Sequence, residues 1–196
     1  MSRRTRTILT VVVGLLAGVL AAMLWPSLPR RFAEVTPNAL YRSNQPDETE
    51  LRNIFRKYGI RTILNLRRED YPEFAAEERL AKEQGAEFVR LHVSSTKPFP
   101  PETLAELRRV FSQSKRPILV HCEFGVARTG VVVALWRIEQ DRWTGDRAVD
   151  EMLERGYPER DKSEPMRDYL RNWKPEAVPT TAPAAASPAT LPASTE

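Results

Sequence analysis

The segment that most constrains this chain is a junction. A short apolar run, Pro117-Ile118-Leu119-Val120, leads into His-Cys-Glu-Phe-Gly-Val-Ala-Arg-Thr-Gly at positions 121–130, and a helical pattern leads out from near Thr129. The run reads as a strand, and Val131 to Ile138 is apolar nearly all round, as expected of a helix buried behind a sheet. In such a strand-loop-helix turn, the N–H groups of a tight loop and the positive end of the helix dipole converge on one point, which suits an anion. Cys122 opens that loop and Arg128 closes it. The field that holds an anion also favours the thiolate, the form of cysteine that attacks phosphorus. Arg128 brings a planar fork of donors for two phosphate oxygens. Gly125 lets the backbone turn and approach a ligand closely. Glu123, Phe124, Val126 and Ala127 complete the expected phosphate-binding loop.

Strand-like and helix-like patterns alternate along the rest of the domain. Ala39–Arg42 reads as a first strand, turning at Asn44 to Asp47. Asp47 is placed to cap a helix through about Tyr58, which Gly59 ends. Strands are expected at Ile60–Leu66 and Glu87–Val93, with helices at Pro72–Gln84, 101–113, 144–155 and 163–173. The last helix carries Met166, Tyr169, Leu170 and Trp173 on one face. The alternation predicts an α/β fold with a small, mostly parallel central sheet flanked by helices. Chemistry in such folds sits at the C-terminal ends of the strands, where Cys122 falls.

The two ends read differently. Arg3, Arg4 and Arg6 precede an uncharged run of 18 residues from Ile8 to Trp25. As a helix at ~1.5 Å per residue it reaches ~27 Å, just enough for a hydrocarbon core of ~30 Å. Residues 1–31 are therefore expected to be a membrane anchor, an N-terminal transmembrane helix with Trp25 at the interface and Pro26 at its end. The competing reading is a signal sequence cleaved after Ala21 or Ala22. Three arginines before the run against Arg30 and Arg31 after it favour a catalytic domain outside the membrane. Residues 175–196, rich in Pro, Ala and Thr, are expected to be disordered, which leaves 32–174 as the domain. The net charge of +4 resides mostly in the five arginines of the first segment, so the domain is close to +1 and gives no support for nucleic-acid binding. One cysteine excludes an intrachain disulfide and leaves the thiol available.

The His-Cys-Glu-Phe-Gly-Val-Ala-Arg-Thr-Gly loop resembles the signature of the cysteine-dependent protein tyrosine and dual-specificity phosphatases. Leu40-Tyr41-Arg42-Ser43 with Gln45-Pro46, the strand from Gly59 to Arg67, and Glu69-Asp70-Tyr71-Pro72 extend the likeness to the atypical dual-specificity branch over about residues 35–173. That branch includes inositol pyrophosphate phosphatases and bacterial periplasmic tyrosine phosphatases. The resemblance implies Cys122 as nucleophile, Arg128 as phosphate clamp, His121 behind the thiolate, and Thr129 donating to the sulfur. It implies no cofactor and no metal, and a phosphorylated protein or small phosphorylated substrate; the apolar run and its arginine bias give the expected location, a bacterial inner membrane with the domain in the periplasm. A rhodanese-like sulfur carrier lacks the Arg-Thr-Gly ending, and an arsenate reductase needs further cysteines.

One departure stands out. The superfamily places an aspartic acid in the loop before the nucleophile strand, to protonate the leaving oxygen. Here that loop is Val93-Ser94-Ser95-Thr96-Lys97-Pro98-Phe99-Pro100, and no aspartate occurs between Asp70 and Asp141. Asp70, at a neighbouring strand end, is the first candidate for general acid, with Glu102 and Glu123 behind it. An inositol (pyro)phosphate or phosphoinositide phosphatase is the alternative enzyme, although the inner loop positions hold an acid and no base; Arg42, Arg67, Arg68 and Lys97 are candidates to line the mouth. The alternative of another class is a catalytically weak phosphate-binding module.

Overall fold

The computed structural model describes Arg3 and residues 12–15, 27–68 and 72–175. Five four-residue strands form one sheet: β1 (Ala33–Thr36), β2 (Leu40–Ser43), β3 (Thr62–Asn65), β4 (Glu87–Arg90) and β5 (Ile118–His121). Their order is β1-β2-β5-β3-β4, with β5 parallel to both β2 and β3, β4 parallel to β3, and β1 antiparallel at the edge. The sheet is thus mixed rather than wholly parallel. The helices are α1 (Glu48–Tyr58), α2 (Pro72–Glu83), α3 (Pro101–Gln113), α4 (Ala127–Glu139), α5 (Gly145–Glu154) and α6 (Glu164–Arg171).

Alternation along each strand divides the core into two layers. Leu40, Leu64, Ile118 and Val120 pack under Leu107, Val110 and Phe111 of α3 and the apolar sides of α4, α5 and α6. Tyr41, Ile63 and Leu119 face Leu51, Ile54 and Phe55 of α1 and Leu80 and Ala81 of α2. Trp136 is fully buried, in edge-on contact with Phe111 at 5.0 Å between centroids.

Local chemistry fixes the element ends. Asp47 accepts from Glu50 N at 2.8 Å and Glu50 accepts from Asp47 N at 2.9 Å, a reciprocal box at the start of α1, and Gly59 closes it at φ 60°. The expected strands are shorter than their apolar runs. β4 stops at Arg90 because its partner β3 stops at Asn65; Leu91 N still donates to the Asn65 carbonyl at 3.0 Å, and the chain then leaves the sheet. β1 is an element the sequence reading missed: four residues beside Arg30 and Arg31 that pair only along one edge. Most of the run from Ile8 to Trp25, and the tail from residue 176, lie outside the described residues. Among the described residues no helix is long and apolar enough to cross a membrane.

Candidate active site

β5 lies between β2 and β3 with all four residues buried, so the loop it launches emerges from the centre of the sheet. Cys122 follows at once and is 2% exposed. α4 begins at Ala127, two residues earlier than expected, because Val126 already takes the N-cap position. Valine has no side-chain oxygen, so the cap that usually occupies the first helical amides is missing. Among the described residues, none of the backbone N–H groups from Glu123 to Arg128 has a protein acceptor. Six consecutive donors thus stand around one turn, beside a buried thiol.

The loop is held from outside. Gly125 adopts φ 66°, and a Cβ there would lie 2.6 Å from the backbone of Ser43 and Asn44, at the end of β2. Its carbonyl accepts from Arg42 Nη2 at 2.9 Å, and the Glu123 carbonyl accepts from Gln45 N at 3.2 Å. Thr129 Oγ1 donates to Cys122 Sγ at 3.1 Å in a buried contact, as the resemblance implied. Arg128 lies over the same turn, Nη1 3.5 Å from the Leu66 carbonyl and Nη2 3.7 Å from Glu123 Oε2.

Behind the loop His121, expected there, meets a carboxylate that sequence reasoning overlooked, Glu77. His121 is fully buried, and its Nε2 lies 2.7 Å from Oε1 of Glu77 on α2, an ion-pair distance without hydrogen-bond alignment. Glu77 Oε2 accepts from Asn65 Nδ2 at 2.9 Å and from Gln45 Nε2 at 3.3 Å. Burial raises the Glu77 carboxyl, but the charge of His121 and these donors outweigh it and hold the group below its ordinary value. A signal for Glu77 was present: it falls on the same face of α2 as Phe74, Leu80 and Ala81, all buried. An acid on an apolar stripe is seldom fully buried unless partnered.

Two expectations are corrected. Arg42 and Arg67, taken as candidate mouth residues, are buried at 3% and 6% exposure. Arg42 on β2 donates to the Gly125 carbonyl, and Arg67, just past β3 with its backbone N–H on Asn65 Oδ1, donates from Nη1 to Gln45 at 3.2 Å. Arg68 and Lys97 are exposed. Among the acid candidates, Glu102 is exposed in the first turn of α3 and Glu123 pairs loosely with Arg128. Asp70 lies outside the described residues. The Val93–Pro100 segment, where the superfamily keeps its acid, is pinned by Val93 and Phe99 in the core and by Tyr157 Oη on the Ser95 carbonyl. Among the described residues no cluster of side chains could hold a metal ion.

Comparison with known proteins agrees with this geometry. Residues 24–168 match the family model described as DSP-PTPase phosphatase fused to NAD+ kinase. The chain is 25% identical over 133 residues to the dual specificity protein phosphatase TpbA of Pseudomonas aeruginosa, covering 67% of this chain and 58% of that protein. It is 33% identical over 128 residues to the inositol diphosphatase DSP1 of Oryza sativa, covering 63% and 55%. The match thus spans less than two thirds of the length of either relative. Among solved structures, the catalytic domain of the PP-IP phosphatase SIW14 from S. cerevisiae superposes with a TM-score of 0.62 at 23% identity, covering 76% of this chain and 88% of that one. P. aeruginosa TpbA superposes with a TM-score of 0.59 at 22% identity, covering 74% and 86%. At these identities the two structures establish the shared fold.

Proposed function

Because the chain belongs to the DSP-PTPase phosphatase family over residues 24–168, we propose that it hydrolyses phosphomonoesters through a cysteinyl-phosphate on Cys122. The observation that carries this is a run of six consecutive loop amides with no acceptor among the described residues, next in sequence to a buried cysteine whose sulfur already accepts from Thr129. The Cys122 thiolate attacks phosphorus in line, the S–P bond forms, and the bond to the ester oxygen breaks. Loop amides and the Arg128 fork hold the equatorial oxygens as charge moves onto them. Water then attacks the phosphorus of the intermediate, the S–P bond breaks, and inorganic phosphate leaves with Cys122 restored.

The substrate favoured is a phosphorylated tyrosine or other aryl phosphate on a protein or small molecule. Phe124, 68% exposed within the loop, offers an apolar surface beside the cradle, and Glu123 opposes a densely charged ligand. The rice relative is an inositol diphosphatase, and that reading draws its support from the sequence likeness rather than from the loop. Asp70 remains the proposed proton donor, and the run from Ile8 to Trp25 the proposed membrane anchor of a periplasmic domain, on the sequence pattern given above.

The test is hydrolysis of an aryl phosphate by the full-length protein in EDTA, expected to proceed and to vanish in Cys122→Ser, since a serine hydroxyl stays protonated at neutral pH. Turnover surviving in Cys122→Ser overturns the mechanism. Asp70→Asn should slow an alkyl or tyrosyl phosphate by about 10²-fold, yet leave a nitrophenyl ester, whose oxygen departs without a proton, nearly untouched. Equal slowing of both excludes Asp70 as the acid.

A further inference from the structure

Beside the phosphate loop, between β1 and the end of α5, lies a second recess of about 450 Å³. Arg31, Arg42 and Arg155 line it against one carboxylate, Glu154, with Gly125 and Gly156 in its wall. Glu151 lies 3.6 Å from Arg155 and is also engaged at 2.8 Å by Arg137. Three guanidiniums thus share one carboxylate in the wall and one that Arg137 also holds, which leaves the recess with a net positive charge.

Arg42 is its unusual member. At 3% exposure it makes one hydrogen bond among the described residues, from Nη2 to the Gly125 carbonyl, so the rest of its fork has no protein acceptor. Its burial, followed by the charges of Arg155 and Arg31, pushes its pKa down to about 10, against the opposing pull of Glu151 and Cys122; it remains a full cation at neutral pH. Holding like charges around one largely buried fork is costly, and a multivalent oxyanion relieves the repulsion and takes up donors that the protein leaves open to the recess.

We propose that this recess is a second anion site that takes a phosphate group, with Arg42 as its buried donor and Arg31 and Arg155 at its entrance. The same guanidinium fixes the Gly125 carbonyl, so an occupant of the recess bears directly on the backbone of the phosphate loop. The ligand is either free inorganic phosphate, the product of the proposed reaction, or a further phosphate on the substrate.

Cys122 is the chain's single cysteine, so iodoacetamide blocks the catalytic loop selectively in the full-length protein. Titration of inorganic phosphate into the alkylated protein by calorimetry should show saturable binding. Arg155→Glu and Arg31→Glu should each weaken it about tenfold or more, the scale of a lost charge-assisted bond. No binding after alkylation, or binding unchanged in both variants, overturns the proposal. Since this arm needs no turnover, its result is independent of the proposed phosphatase activity. Unalkylated enzyme then identifies the source. A KM for an aryl bisphosphate raised about fivefold in Arg155→Glu, with the monophosphate unchanged, assigns the site to the substrate. Both unchanged assigns it to free phosphate.

Discussion

The floor of the phosphate loop and its rim are built on opposite terms. On the floor the groups are buried against one another: His121 at ion-pair distance from Glu77, Glu77 held by Asn65 and Gln45, the sulfur by Thr129, Gly125 by Arg42 and the Ser43–Asn44 backbone. On the rim Phe124 projects into solvent, and the Glu123 side chain pairs loosely with Arg128. Buried polar networks are rigid when satisfied and costly when broken, whereas exposed contacts contribute little. The comparison teaches that the floor sets the shape of the loop on which the proposed chemistry depends, and that the rim is the part free to vary with the proposed phosphate-ester substrate.

The sharpest way to break that division is Gly125→Ala. The added methyl meets backbone 2.6 Å away at a positive φ, so the loop must move. Misplacing catalytic groups by about 1 Å costs on the order of 10²-fold. We expect kcat for an aryl phosphate to fall by about that factor while the melting temperature falls by only a few degrees. Near-normal turnover would mean that the loop is not held by this contact.

Glu77→Gln tests the floor from further back, with a smaller effect. The folded carboxyl lies below its ordinary value of 4.5, so its contribution to stability is full above about pH 4.5 and is lost as pH falls through the folded value. The variant should be less stable than wild type at pH 7, by roughly 1–3 kcal/mol, and the gap should close on acidification below pH 4.5. Chemical denaturation at pH 7 and pH 4 measures it. A gap that widens in acid would show that the carboxylate is not the stabilising form.

This division also decides what was legible in the sequence. The loop could be read because its chemistry needs cysteine, glycine and arginine at fixed spacing, and α4 because a helix apolar on all sides has one place to go. The Asp47 capping box and Gly59 marked α1 by local chemistry alone. Glu77 and Arg42 were missed or misplaced for one shared reason. Charged residues read as solvent-facing, and only tertiary pairing, Glu77 with His121 and Arg42 with a carbonyl 83 residues away, reverses that. β1 escaped because an edge strand of four residues needs only one partner and therefore little pattern.

The smallest effect should come from the rim. Phe124 is 68% exposed, so truncation removes no core packing, and Phe124→Ala should leave the melting temperature unchanged. If its ring receives the aryl group of the substrate, the lost aromatic contact is worth about 0.5–1.5 kcal/mol, a two- to tenfold rise in KM for an aryl phosphate. An alkyl phosphate, which offers no ring, should show no change, and kcat should hold for both, because the contact is equal in ground and transition states. A fall in kcat with KM constant would place Phe124 on the floor instead, as a residue that shapes the cradle. The rim would then not be the separate, tunable part that its exposure implies.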